Sequence, residues 1–147
     1  MPVPINRKAT PADLPSLLVL EERYMAELEP QHYEHWKAAK ATHKRMLEHH
    51  LAQTHVSTLG NEVVGFCSWT LVQDDPTIQH LYVHQDYRRY GLAAHLLKLA
   101  EEQVLRAGFT RCSYSPISTH PARVFLEQGG YKLMRDDGER AHLVKTL

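Results

Sequence analysis

The chain has 147 residues, 43% of them hydrophobic and 23% charged, with 17 basic side chains against 17 acidic ones. At that length roughly 70% of the unfolded surface is buried on folding, so a core can form without disulfides or a structural metal. Zero net charge excludes bulk attraction to nucleic acid or to an anionic membrane, which shows as a basic excess, and still leaves room for a local basic pocket.

The opening residues, Met1 to Leu14, contain no apolar leader, and no later stretch approaches the length of a membrane span, so a cytoplasmic protein is expected. No repeat, low-complexity tract or linker interrupts residues 1–147, which read as one domain. Val3 to Lys8 predicts a first strand. Thr10-Pro11-Ala12-Asp13 announces a helix, with Thr10 as N-cap and Pro11 at the first helical position. Leu14, Leu17, Leu18, Tyr24, Met25 and Leu28 continue it at helical spacing, and Pro30 ends it. A more polar helix is expected from Tyr33 to His49.

At about residue 52 the texture becomes β-rich. Gln53–Leu59 and Glu62–Leu71 flank Gly60-Asn61, a hairpin signal, and Gly65 inside the second strand predicts a bulge or a close approach. A third strand spans Thr77 to His84. Leu92 to Ala107 is the clearest helix, with Ala93, Leu96, Leu97, Ala100 and Val104 on its apolar face and Gly108 closing it. A strand over Phe109–Tyr114, a short helix over Pro121–Gln128 and strands over Tyr131–Arg135 and His142–Leu147 complete the order β-α-α-β-β-β-α-β-α-β-β. That order predicts an α/β mixed sheet with helices on both faces. Cys67 and Cys112 are too few for a disulfide framework and fall in strand-like runs, where buried free thiols are expected.

The segment between the third strand and the long helix carries chemistry. In Leu81-Tyr82-Val83-His84-Gln85-Asp86-Tyr87-Arg88-Arg89-Tyr90-Gly91-Leu92-Ala93, two arginines enter a tight turn, Gly91 removes a Cβ that would block a ligand, and a helix begins. Unpaired N–H groups at a helix start, with the positive end of the dipole behind them, form an anion site. Arg88 and Arg89 add donors suited to phosphate oxygens. Residues 81–111 hold five basic and three acidic side chains, whereas residues 61–80 hold three acidic ones and no basic one. Neither a dinucleotide glycine fingerprint nor a P-loop occurs.

Arg88-Arg89-Tyr90-Gly91-Leu92-Ala93 resembles the acetyl-CoA signature of the GNAT superfamily of N-acetyltransferases, Gln/Arg-x-x-Gly-x-Gly/Ala. Gly65-Phe66, Leu81-Tyr82-Val83-His84 and Ala122–Tyr131 are similar to further segments of that family, in the family's order, as is the opening Ile5–Asp13. The resemblance implies a GNAT fold and transfer of an acetyl group from acetyl-CoA to a primary amine by direct attack. It implies that the amides of Arg89 to Ala93, Tyr90, Gly91 and Leu92 included, hold the pyrophosphate with Arg88 alongside. The pantetheine arm is expected against the backbone of Leu81 and Val83, where the sheet splays, with Thr119 and Phe125 also at the cofactor. A backbone N–H near Val83 is expected to hold the oxyanion.

The chain departs from the family where protons are managed. Leu126 stands where many members have the Tyr that protonates the thiolate, and Thr119 stands at the usual Asn. Tyr114 is the replacement acid expected here, with Ser118 as the other nearby candidate. His80, on the strand beside the expected thioester, is the expected general base, because an imidazole changes charge near neutral pH. Asp74 and Asp75 could attract a cationic acceptor or simply form a solvated turn. Tyr24, Tyr33 and Trp36 fall in the helices that border the family's acceptor site. His32, His35, His49 and His50 lack a third ligand at sensible spacing, so no metal is expected. A CoA-binding module without turnover is the alternative, and pairing of two copies through the closing strands is open.

Overall fold

The computed structural model describes residues 3–147. Among them, seven strands form one mixed sheet: β1 (Ile5–Lys8), β2 (Thr54–Leu59), β3 (Glu62–Val72), β4 (Asp75–Val83), β5 (Arg111–Tyr114), β6 (Lys132–Asp136) and β7 (Ala141–Thr146). Their spatial order is β1-β2-β3-β4-β5-β7-β6. β4 and β5 run parallel, and the other neighbours are antiparallel. The helices are α1 (Leu14–Leu28), α2 (Tyr33–Ala38), α3 (Lys40–His49), α4 (Leu92–Arg106) and α5 (Arg123–Gln128). α4 makes the crossover that a parallel pair requires.

The element order matches the sequence expectation, with one helix divided. Instead of a single helix over Tyr33–His49, α2 ends at Ala38, and the N–H of its cap, Ala39, bonds to the His35 and Trp36 carbonyls at 3.2 and 3.0 Å in a tightened last turn. Before α1, Pro11–Asp13 forms a 3-10 turn, and Asp13 Oδ2 accepts the Thr10 N–H at 2.8 Å.

Alternation along the strands builds a core on each face of the sheet. Val64, Cys67, Trp69, Ile78, Leu81 and Val83 pack against α4 residues Leu92, Leu96, Leu97, Ala100 and Val104 and against Leu126 of α5. On the other face Val56, Phe66 and Tyr82 meet Leu14, Leu17 and Leu20 of α1 and Leu47 of α3. At Gly65 the layers come close: a Cβ there would lie 3.1 Å from the Tyr82 carbonyl and from Val83 Cγ2. Cys67 and Cys112 are free and buried. Burial raises both thiol pKa values, that of Cys112 to about 11.

Two irregularities position the site. The parallel ladder holds only Thr77 opposite Ser113 and Ile78 opposite Tyr114, after which β4 and β5 part. On the other side of β4, Ser68 faces His80 but Trp69 faces Ile78, so Gln79 is an extra residue, a β-bulge. The bulge reverses the alternation. Ile78, Leu81 and Val83 all face α4, while Tyr82 joins the α1 core and His80 reaches an α1 carboxylate.

Candidate active site

β4 runs into a 3-10 turn, Gln85–Tyr90, then Gly91, then α4. Gly91 has φ +70°, and a Cβ added there would meet no atom within 4 Å. The left-handed turn itself requires glycine there, and the space beside its Cα is open. Below it, the His95 N–H donates to the Gly91 carbonyl at 3.3 Å, so the N–H groups of Leu92, Ala93 and Ala94 have no intrahelical acceptor. The Leu92 side chain is buried in the core and Tyr90 is half exposed, so Leu92 offers only its backbone. Both arginines of the pair are exposed. Arg88 is already engaged. Its Nη1 and Nη2 each reach a Glu27 carboxylate oxygen at 2.8 Å, and its Nε donates to the Val83 carbonyl at 2.9 Å. Glu27 also accepts the Tyr82 hydroxyl at 2.8 Å. Arg88 thus braces α1 against the turn.

Beyond Ile78 one edge of β4 is free. The His84 N–H donates to the Val64 carbonyl at 2.8 Å. Antiparallel alternation then turns the backbone groups of Tyr82 toward β3, and those of Leu81 and Val83 toward the side that β5 has left. The gap is a cavity of about 220 Å³ lined by Leu81, Val83, Ala93, His120 and Phe125, among others. An open strand edge in an apolar slot, close to unpaired helix N–H groups, fits an extended amide-bearing arm that ends in phosphates. Phe125 lies in this lining. Thr119 is exposed and outside it, and its neighbour His120 is the residue that faces the cleft.

A second cavity, about 460 Å³, lies on the α1 side of the same strand and is lined by Glu21, Trp36, His43, His80, Tyr114 and Arg140, among others. At its base His80 Nε2 is 2.6 Å from Glu21 Oε2, and His80 Nδ1 is 2.7 Å from the Ser68 hydroxyl. Glu21 Oε1 accepts the Trp36 indole N–H at 2.7 Å and lies 3.3 Å from His43 Nδ1. Burial alone would raise the Glu21 pKa. The bonds from His80 and Trp36, with the positive potential of both imidazoles, outweigh burial and hold it below its ordinary value. Glu21 is therefore a buried carboxylate in a ring of donors. Both ring nitrogens of His80 are engaged, Nε2 by Glu21 and Nδ1 by the Ser68 hydroxyl, so His80 and Glu21 form one hydrogen-bonded unit.

Tyr114 lines this pocket, and its hydroxyl has no hydrogen-bond partner among the described residues. Burial, with Cys67 and Glu29 nearby, pushes its pKa upward, so it keeps its proton. Ser118 donates to Asp136 at 2.6 Å instead. Asp75 accepts Arg111 Nε at 3.0 Å and the Ser113 hydroxyl at 2.6 Å, fastening β4 to β5, while Asp74 forms the turn at φ +65°. The acids that line this pocket are Glu21 and Glu29, the latter holding the Tyr24 hydroxyl at 2.6 Å and Arg140 at 2.8 Å. Tyr24 and Trp36 line the pocket; the Tyr33 hydroxyl bonds to Glu22. Among the described residues no group of three or more His, Cys, Asp or Glu side chains could hold a metal ion. Nor is any helix among them long and apolar enough to cross a membrane.

Sequence reasoning missed Glu21 and His120. Glu21 had a readable signal: it continues the Leu14, Leu17 and Leu18 stripe at helical spacing, which places a carboxylate on a buried face. Nothing local marks His120, because only the return of the chain from β5 to α5 brings it to the cleft.

The acetyltransferase (GNAT) domain family model matches residues 24–146. No curated protein matches the chain. Among solved structures, the PaiA N-acetyltransferase of Thermoplasma acidophilum in complex with coenzyme A superposes with a TM-score of 0.84 at 17% identity, over 99% of each chain. A GCN5-related N-acetyltransferase from Rhodopseudomonas palustris gives 0.77 at 23% identity, over 100% of this chain and 98% of that one. The ribosomal-protein-alanine N-acetyltransferase of Brucella melitensis gives 0.71 at 17% identity, over 97% and 99%. These likenesses show the shared fold.

Proposed function

The chain belongs to the GNAT acetyltransferase domain family, and we propose that its 147 residues act as one domain that transfers the acetyl group of acetyl-CoA to a primary amine of a small molecule, peptide or protein. One observation carries this reading. The cleft at the β4–β5 gap and the Glu21–His80 pocket flank a single strand, so an acyl donor on one side and an amine on the other meet at the bulge. Acetyl-CoA, when bound, supplies the acyl thioester. The N–H groups of Leu92 and Ala93 with Arg89 hold its phosphates, Leu81 and Val83 pair with its arm as an added strand, and a backbone N–H near Val83 polarises the carbonyl.

The remaining work is orientation and proton transfer. Glu21 and His80 take the proton of the incoming ammonium, and the Glu21 carboxylate, which can only accept, sets Nε2 of His80 as the donor toward it. Tyr114 places a protonated hydroxyl at the pocket wall. No covalent enzyme intermediate is required.

The alternative, a CoA-binding module without turnover, draws on Leu126. That residue stands in the position of the family's Tyr and is fully buried in the core, so it brings no proton. CoA-thiol release from acetyl-CoA with a panel of amines decides between them. Release that depends on an amine is expected. Tight CoA binding without release for any amine between pH 6 and 9 would overturn the transferase reading in favour of the module.

A further inference from the structure

His120 follows β5 and precedes α5, is only 5% exposed, and lines the cleft together with Leu81, Val83 and Phe125. Its Nδ1 accepts the Ala122 N–H at 3.0 Å, so in the neutral ring the proton sits on Nε2. That Nε2 is buried and has no hydrogen-bond partner among the described residues. A buried donor left unsatisfied is destabilising, and native chains keep few. The ring lies 6.1 Å from the Tyr24 ring and 6.3 Å from that of Tyr114. Both tyrosines line the acceptor pocket, so His120 stands in the wall between the two cavities.

We propose that His120 is a catalytic residue of the transfer: its neutral Nε2–H hydrogen-bonds the sulfur of the bound thioester and strengthens as that sulfur becomes a thiolate. The inference rests on the acetyltransferase reading and supplies the stabilisation that Leu126 cannot. In the step, the amine nitrogen forms a bond to the acyl carbon, the carbon–sulfur bond breaks, and its electron pair stays on sulfur. The nitrogen gives up two protons, one from the ammonium before attack and one after the carbon–nitrogen bond forms; both pass by way of Glu21–His80 to solvent, and His120 keeps its own proton throughout. Burial suits this role. It pushes the His120 pKa down to about 4, with Arg88 adding to the effect and Glu29 and Glu27 opposing it. The ring is therefore a neutral donor at every pH where the amine is reactive. A fixed donor aimed at developing charge commonly contributes about 10²-fold in rate.

The test compares wild type with His120→Phe, which keeps a ring but loses the N–H. His120→Ala serves the same purpose should the Phe variant not fold, folding being checked by circular dichroism. The first readout needs no acceptor: titration of the bound CoA thiol by its ultraviolet thiolate absorbance, against protein alone. The thiol is expected to titrate about one pH unit lower in wild type than in the variant, a tenfold change in acidity. The second readout is kinetic, with kcat expected to fall about 100-fold and the Kd for CoA to stay within about threefold. Equal thiol titration in the two proteins, an unchanged kcat, or a loss explained wholly by weaker CoA binding would each overturn the proposal. Wild type that shifts the thiol but acetylates no amine would sink the transferase reading alone. Wild type that fails to bind CoA would sink both.

Discussion

Glu21 sits 3% exposed with His80, Trp36 and His43 around it, and the chemistry turns on its charge. Glu21→Gln keeps the shape and removes the negative charge. At pH 7 it is expected to lower kcat/KM by about 10²-fold or more while leaving the Kd for CoA unchanged, as amine-dependent thiol release and CoA titration calorimetry would show. A variant with full activity would remove the Glu21–His80 unit from the mechanism. His120 also links the site to stability. The unfolded chain binds the imidazole proton near pH 6.5, and the folded chain only near pH 4. Stability owed to the neutral ring is therefore complete above pH 6.5 and is lost as pH falls toward 4. From pH 7 to 4.5 wild type should lose about 2 kcal/mol more unfolding free energy in urea than His120→Phe. Parallel losses would mean that His120 is not held neutral. At this scale the sequence shows residue types better than partners. His80 and Tyr114 are readable from strand position, whereas the Arg88–Glu27 brace joins residues 61 apart and leaves no local mark.

The turn into α4 combines two requirements, a left-handed residue and a braced arginine. Gly91→Ala forces a Cβ into φ +70°, a strain of about 1–2 kcal/mol, and should lower the thermal midpoint without touching the core. Arg88→Ala removes the bonds to Glu27 and to the Val83 carbonyl. The guanidinium is partly exposed, so a loss of about 1 kcal/mol is expected, together with weaker CoA binding as the turn loosens. Thermal melts with and without CoA separate these effects: Gly91→Ala should lower the midpoint already without CoA, and Arg88→Ala should lower the CoA-bound midpoint more than the free one. Elements were largely legible, since apolar periodicity and the Gly60 and Gly108 signals lie in the chain itself. The division at Ala39 was not legible, because Lys37 to Thr42 contains neither Gly nor Pro. The sheet order β5-β7-β6 was not either, because it depends on which strand fills the gap beside β5.

At the scale of the whole molecule, helices cover both faces of the sheet, and the two cysteines lie within the α4-side core. With both thiols buried and their pKa values raised, neither should react with a thiol reagent in the native state. Labelling is expected to follow the same urea dependence as circular dichroism, with both thiols reacting together. Rapid labelling of one thiol in buffer would reveal local opening under α4. The balanced charge likewise conceals unlike regions. An exposed Arg89 and free helix amides mark one side of β4, and buried Glu21 and Glu29 mark the other.

The extra residue at Gln79 has a consequence for reading such chains. A strand is a two-letter frame, in which odd and even positions belong to different faces. Ile78 and Leu81 break that frame by standing three apart yet sharing a face. Strict alternation through Gln79 would send everything from His80 onward to the wrong side, with the imidazole under α4 and Leu81 and Val83 under α1. An apolar interval of three inside an otherwise alternating strand is thus punctuation, and the polar pair it encloses, Gln79-His80, is where a reader should look for chemistry.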